Sequence, residues 1–235
     1  MNTDAIAAAL SLFFAPDDVF EVRALDHGGP GKKSAGWFLG RQADRAAAKV
    51  AQAAADSWGV YFTPNPSSRD CYRRCAGMLR PAFFPLTADA DVPARRFLLI
   101  DVDPIRPAEF KKDSATDAEK AAAGEVADQV RDFLGLRRWP APLVVDSGNG
   151  VHLYYRLPEP LAGGDVADST TDPLACLLTV FKARFDTAAA EIDTTVFNAS
   201  RIMKVPGTPA RKGPGTAGRP HRMSRVVEVP DGWQS

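Results

Sequence analysis

Asp101 and Asp103 flank Val102 at the end of an apolar run, Phe97, Leu98, Leu99 and Ile100. On a strand, side chains two positions apart point to one face, so both carboxylates project together from a rigid element. Adjacent carboxylates repel, and a divalent cation that prefers oxygen ligands relieves the repulsion. A strand end with solvated acids has the same pattern, and Asp-x-Asp also occurs in glycosyltransferases and nucleases. Ser147-Gly148-Asn149-Gly150-Val151-His152 is the next candidate. Its glycines permit a tight turn whose backbone amides can face an anion, with His152 as a donor beside it. A plain hairpin turn with a partly exposed histidine is the alternative. The segment lacks the Gly-x-Ser-x-Gly of a nucleophile elbow, which sets aside a Ser-His hydrolase. The third candidate is Asp193, which follows Ile192 and precedes Arg201 and Lys204. A third carboxylate would complete a two-metal site, and the cations would hold a triphosphate. Taken singly, each of these residues also suits a surface charge.

The elements that must position them are legible to different degrees. A helix is expected over residues 3–14, ended by Pro16. Strands are expected at residues 19–25 and 37–39 around a Gly-Pro-Gly-Lys-Lys turn, then a helix over 42–57 and a strand at 60–63. Residues 67–90 read as irregular. From Arg95 onward the signals sharpen: the run into Asp101–Asp103 reads as a buried strand. Thr116 and Glu119 form a capping box, and helical spacing of Val126, Val130, Phe133 and Leu134 runs to Gly135. Residues 143–145 and 151–156 are strands on either side of the glycine turn. Asp172 caps a helix with Pro173 first, and Leu174, Leu177, Leu178, Phe181 and Phe185 make its apolar face. Cys176 in that helix reads as a small core residue. Strands near 202–205 and 226–229 complete the chain. Interleaved strands and helices make an α+β protein with an α/β-type core.

Composition narrows the class. The 235 residues are 45% apolar and 25% charged, with 29 basic and 29 acidic side chains. These proportions describe a globular chain with a core of useful size. No apolar run approaches the ~20 residues that span a bilayer, and Asp4 stands where a signal peptide needs basic residues. With three cysteines there is no disulfide framework, which fits a reducing cytoplasm. The neutral total hides one asymmetry. Residues 194–227 contain no acid, yet hold Arg201, Lys204, Arg211, Lys212, Arg219, Arg222 and Arg225. Such a stretch favours phosphate, or is a solvated basic loop.

Several patterns carry little. Gly213 to Gly218 spells Gly-x-Gly-x-x-Gly, but it contains Pro214 and follows no apolar strand. Gly31-Lys32-Lys33-Ser34 lacks the first glycine of a P-loop, Asp26 standing in its place. Cys71 and Cys75, with His27 and His221, make a poor zinc set without a second Cys pair. Tyr61, Trp37 and Trp58 suit core positions better than base stacking, and Trp139 suits a loop anchor.

Order and combination add to these parts. Ile-Asp-Val-Asp-Pro, then Ser-Gly-Asn-Gly-x-His-Leu, then Ile-Asp with Asn-x-x-Arg-Ile and Pro-Gly-Thr, resembles the archaeo-eukaryotic primase superfamily. The likeness is greatest to the primase-polymerase modules of phage, plasmid and other mobile-element replication proteins. Gly59 to Pro66 upstream, and Arg211-Lys212-Gly213 through Arg219-Pro220-His221-Arg222 downstream, look like the same group, so the resemblance covers about residues 59–229. It implies an N-terminal α/β part and a C-terminal part similar to the RNA-recognition fold, with the site between them; the parts are expected at 1–90 and 91–235, together one catalytic module. Asp101, Asp103 and Asp193 match the metal-binding carboxylates, which implies two divalent ions, Mg2+ or Mn2+. His152 matches the histidine on the nucleotide's phosphates, with Ser147, Gly148 and Gly150 beside it. Arg201 and Lys204 match the triphosphate cations; lysine at 204 keeps the charge but loses the bidentate fork. Arg211 and Lys212 stand within reach of phosphate or template. Ser147 lies five residues before His152, further than in the bare Ser-x-His pattern.

The implied activity is template-directed transfer of nucleotides from NTPs or dNTPs to a 3′-hydroxyl on single-stranded DNA, with primer synthesis included where priming starts unaided. Implied partners are template, primer and nucleotides, with a helicase or accessory domain outside this chain, and no membrane. A replication-initiator or single-strand-binding module of the same fold without synthesis, and a metal-dependent nuclease, are the alternatives.

Overall fold

The computed structural model describes residues 1–166 and 168–233. Asn2 caps the first helix, α1 (Thr3–Ser11), its side chain accepting from the N–H groups of Asp4 and Ala5. The helix stops short of the expected residue 14 because Phe13 and Phe14 turn out of it into the core, where both are buried. Strands β1 (Val19–Leu25) and β2 (Lys33–Leu39) pair as an antiparallel hairpin from Val19 opposite Leu39 to Leu25 opposite Lys33. β2 starts earlier than expected, since Ser34, Ala35 and Gly36 all take ladder positions. Gly31 to Ser34 therefore leads into a strand, where a P-loop would lead into a helix. Helix α2 (Ala43–Ala53) is shorter than the expected 42–57 and is followed by β3 (Gly59–Phe62).

Residues 67–90 are mostly irregular, as expected, but contain α3 (Arg69–Tyr72) and β4 (Arg80–Pro81). They cover one side of β2, where Trp37 is fully buried with Cys71 and Cys75. The Trp37 indole donates to Thr87 Oγ1 at 2.9 Å, and burial pushes both thiols up.

The next six elements are β5 (Ala94–Pro104), α4 (Asp117–Gly135), β6 (Leu143–Asp146), β7 (Val151–Ala162), α5 (Pro173–Phe185) and β8 (Ala190–Ile192). Thr116 and Glu119 form the expected capping box on α4, and Asp172 caps α5. Leu174, Leu178, Phe181 and Phe185 are buried, a stripe that leaves Cys176 on the other side of the helix. Cys176 is exposed, contrary to the core position expected of it, and its thiol donates to the Thr170 carbonyl at 3.1 Å. Short strands follow: β9 (Met203–Lys204), β10 (Pro209–Ala210), β11 (Arg222–Met223) and β12 (Arg225–Glu228).

Two five-stranded sheets result, β4-β2-β1-β3-β9 and β12-β6-β7-β5-β8, with β10-β11 as a small hairpin. Within the second sheet, β5 to β8 with α4 and α5 form a βαββαβ unit in spatial order fourth, first, third, second, the arrangement of RNA-recognition and ferredoxin-like folds. The fold is thus mixed α+β. β9 returns from the far end of the chain to pair with β3, so the first sheet is completed by residues beyond 200. One apolar cluster runs through both sheets. Phe13 sits at their junction, its ring 4.9 Å from Phe62 and 4.9 Å from Tyr154, both edge-on. Among the described residues no helix is long and apolar enough to cross a membrane.

Candidate active site

β5 is the axis of the site. Asp101 lies opposite His152 on β7. On the other side Val102 lies opposite Ile192 of β8, and one step further the Asp193 N–H donates to the Asp101 carbonyl at 2.9 Å. Directly opposed residues share a face of a sheet, as do residues two apart. Asp101, Asp103, His152 and Asp193 therefore occupy one face, the one turned toward the first sheet.

Their electrostatics are strained. Burial first, then Asp103 and Asp193, pushes the Asp101 carboxyl well above the usual carboxylate range, with Lys212 and Arg201 pulling the other way. His152 is 4% exposed, with Nε2 3.5 Å from Asp101 Oδ1. Burial pushes its pKa down to about 4, although Asp103 and Asp146 oppose this, so the ring is neutral at pH 7.

The glycine turn packs on the end of β5. A Cβ on Gly150 would lie 2.2 Å from the Val102 carbonyl oxygen, so only glycine lets the turn approach Asp103 this closely. Gly148 has φ +96°, the left-handed region. The Gly148 N–H donates to Asp146 Oδ1 at 2.8 Å and the Gly150 N–H to Ser147 Oγ at 2.9 Å. Both amides are thus bonded within the turn, whereas the sequence suggests amides that face an anion. Ser147 still borders the cleft while its hydroxyl oxygen shapes the turn. Asp146 also accepts from Lys120 Nζ at 2.7 Å, and Asn149 Oδ1 from the Ala115 N–H at 2.8 Å, which ties the turn to the start of α4.

The opposite wall is basic. Lys204 on β9 pairs with Tyr61 on β3, and its Nζ lies 5.2 Å from the Tyr61 ring centre. Burial, with smaller effects from Arg211 and Lys212, pushes Lys204 down to about 7. Tyr61 is pushed up to about 12 by burial and then by Asp101 and Asp103. Arg211 donates to the carbonyls of Ala54 at 2.6 Å and Ser57 at 2.9 Å, which caps the end of α2 and fixes the loop that carries Lys212.

Between the walls is a cleft, open at its mouth. Asp101, Asp103, Ser147, Asn149 and His152 line one side, and Tyr61, Lys204, Arg211 and Lys212 the other. Arg201 is not at this lining: it bonds to Asn198 Oδ1 at 2.9 Å and Thr195 Oγ1 at 3.0 Å. Asp193 stands beside the cleft, and its Oδ1 accepts from the Thr195 N–H at 2.8 Å. Sequence reasoning missed Asn149 and set Tyr61 aside as core; the Gly59 to Pro66 block was the available signal for Tyr61.

Among solved structures, the polymerase domain of Mycobacterium tuberculosis Ligase D in complex with DNA is similar, at 17% identity and a TM-score of 0.49. The match covers 94% of this chain and 79% of that one. No protein-family model and no curated protein matches the chain.

The donor set suits a hard divalent cation. Asp101, Asp103 and Asp193 offer only carboxylate oxygens, and a bound cation would offset both the burial and the neighbouring carboxylates that raise Asp101. Among the described residues no three acidic, histidine or cysteine side chains already converge as ligands. The ladder fixes the backbones, so convergence asks for side-chain rotation.

Proposed function

We propose that the chain is a nucleotidyltransferase of the primase-polymerase type, which joins nucleoside triphosphates to a 3′-hydroxyl on a single-stranded DNA template. One observation carries the reading: a single cleft sets Asp101 and Asp103, with Asp193 at its side, against Lys204 and Lys212. The order of the three motifs along the chain supports it. Acids alone would suit a nuclease, but the facing cations suit a triphosphate.

Asp101, Asp103 and Asp193 would hold two divalent ions, Mg2+ or Mn2+, which when bound activate the attacking hydroxyl and neutralise the triphosphate and leaving pyrophosphate. Lys204 and Lys212 bind the phosphates from the opposite wall, Lys204 gaining a proton as negative charge arrives. His152, neutral and pinned between Asp101 and Tyr154, orients the phosphates as a hydrogen-bond partner without adding charge. Ser147, Gly148 and Gly150 hold that edge of the cleft in place. Arg211 acts on the wall through the loop it anchors. Residues 1–90 and 91–235 work as one module, because Tyr61 comes from the first part and the acids from the second.

Incubation with primed single-stranded template, labelled nucleotide and manganese tests this. Extension of the primer is the expected result. Degradation would make the chain a nuclease, and binding without incorporation a template-binding module.

A further inference from the structure

Asn149 is only 4% exposed, yet it lines the cleft. It stands at the Asp103 end, since a Cβ on the next residue, Gly150, would lie 3.2 Å from Asp103 Oδ1. The Asn149 Oδ1 accepts from the Ala115 N–H at 2.8 Å. That bond decides which end of the amide is oxygen, because a backbone N–H can only donate. The Nδ2 group is left on the other side, and it bonds to no group among the described residues. A donor on so buried a residue is costly unless an acceptor reaches it. With its oxygen already engaged, this amide can recognise only an acceptor.

The segment that holds Asn149 also holds Lys212. The Ser114 N–H donates to the Lys212 carbonyl at 3.0 Å, and the Ser114 hydroxyl donates to the same oxygen at 3.2 Å. Successive residues thus set the Lys212 backbone and the Asn149 side chain next to each other, and both Ser114 and Ala115 are fully buried. Their carbonyls are pinned in turn. The Ser114 carbonyl accepts from Arg219 at 2.9 Å and the Ala115 carbonyl from Arg222 at 2.7 Å. Arg219 also pairs with Glu119, and Arg222 with Asp117, so these two cations of the acid-free stretch support the segment from within the protein. Lys212 is the cation that this segment presents to the cleft.

We propose that Asn149 is a substrate-contacting residue whose Nδ2 donates to a non-bridging oxygen of the phosphate held by Lys212. The two side chains then form one anion subsite at the Asp103 end of the cleft. Lys212 beside the amide makes phosphate the acceptor that is drawn there. A neutral donor suits the acid side, because a cation at 149 would pair with Asp103 and compete with a divalent ion for its oxygens. An amide contributes the hydrogen bond and leaves the carboxylate free. The identity of the anion as a nucleoside triphosphate rests on the reading proposed above.

Calorimetry with inorganic tripolyphosphate and magnesium tests the subsite without any catalytic step. Asn149→Asp should weaken binding at least ~10-fold, the lower end for one hydrogen bond to a charged group. It should unfold at the wild-type temperature, because a carboxylate oxygen still accepts from the Ala115 N–H. Asn149→Ala should also bind weakly but unfold earlier, since it loses that bond as well. Aspartate adds charge, so the side-chain amide signal of Asn149 in the 15N-labelled wild type gives the direct readout. Assigned by its loss in Asn149→Asp, it should move downfield with tripolyphosphate and not with a nucleoside alone. Wild-type affinity in Asn149→Asp, or an amide signal that tripolyphosphate leaves unmoved, would overturn the subsite; so would a signal moved by the nucleoside alone. Primer extension by the wild type is measured in parallel. Its absence beside a moved amide would count against the polymerase reading alone, and an unmoved amide beside extension against the subsite alone.

Discussion

Asp193 faces Asp101 across the β5–β8 ladder, its N–H bonded to the Asp101 carbonyl at 2.9 Å. The backbone attraction of the ladder thus holds together two carboxylates that repel. Burial first, and then Asp103 and Asp193, displace the Asp101 carboxyl well above its usual range. Such an arrangement has a cost in the ion-free protein that a bound cation removes.

Asp193→Asn should therefore leave the ion-free protein at least as stable as wild type. Manganese should stabilise wild type by about 2.7 kcal/mol at a hundredfold excess over its Kd, and the variant by much less. Incorporation should fall below a tenth, equal to about 1.4 kcal/mol of barrier. Thermal shift with and without manganese reads the first two effects; equal stabilisation of both proteins would remove Asp193 from the metal site.

Gly150→Ala puts a methyl group 2.2 Å from the Val102 carbonyl, and a backbone atom cannot swing aside as a side-chain tip can. The turn must shift away from β5 and carry Ser147 and His152 with it. Destabilisation by about 1–3 kcal/mol in urea is expected, with incorporation reduced further than stability alone explains. Wild-type stability would mean the turn is not pressed against β5.

The acids and the glycine turn were legible because each sits in a short window: an apolar run into Asp-x-Asp, and glycines between two strands. The helices from α4 onward were legible through their caps, Thr116 with Glu119 and Asp172 with Pro173. β8 was not, since three residues are too few to show alternation, and it is β8 that brings Asp193 to Asp101. The cation wall was only half legible. Lys204 and Arg201 look alike in sequence, but pairing of β9 with β3 buries Lys204 at the cleft, while Asn198 and Thr195 hold Arg201 in its own loop. Tyr61 reads as an ordinary strand aromatic until β9 closes beside it. The bonds within the glycine turn follow from the side chains of Asp146 and Ser147, which compete locally for its amides.

Arg95 and Asp172 form a buried pair far from the cleft mouth, 2.7 Å apart and 7% and 4% exposed. Burial opposes the charge on Asp172. The Arg95 guanidinium and the N–H groups of Leu174 and Ala175 outweigh it and hold the carboxyl below the usual range. A lowered folded pKa gives stability that is full above the ordinary carboxylate value of ~3.9 and lost as pH falls through the lowered one. Asp172→Ala should cost about 3–5 kcal/mol at neutral pH and remove part of the acid-unfolding limb. Urea unfolding across pH 2–7 checks both, and an unchanged acid limb would count against the pair.

Lys212 and Arg201 should separate when single cations are removed. Lys212 borders the cleft, while Arg201 is bonded within its loop. Lys212→Ala should weaken binding of a non-reactive triphosphate about ten- to a hundredfold, the range of one charge-assisted contact. Arg201→Ala should weaken it less and lower stability instead. Calorimetry of both variants settles the order, and a larger loss from Arg201→Ala would show that the loop opens to deliver Arg201 to the nucleotide.

Lys204 should take up a proton when a triphosphate binds. Burial, helped by Arg211 and Lys212, lowers it to about 7 in the free protein. The unfolded value is near 10.4, so the folded state gains stability as pH rises toward that value and loses it as pH falls toward 7. Phosphate charge beside Nζ reverses the shift. Between pH ~7 and ~10, binding therefore consumes up to about one proton, and triphosphate affinity falls with rising pH over the same range. His152, held at about 4, is silent there. Calorimetry at pH ~8.5 in buffers of different ionisation enthalpy reads the proton count directly. Lys204→Arg should bind with no uptake, because a guanidinium stays charged throughout. Equal uptake by wild type and Lys204→Arg would place the titrating group elsewhere and remove Lys204 from the phosphate site.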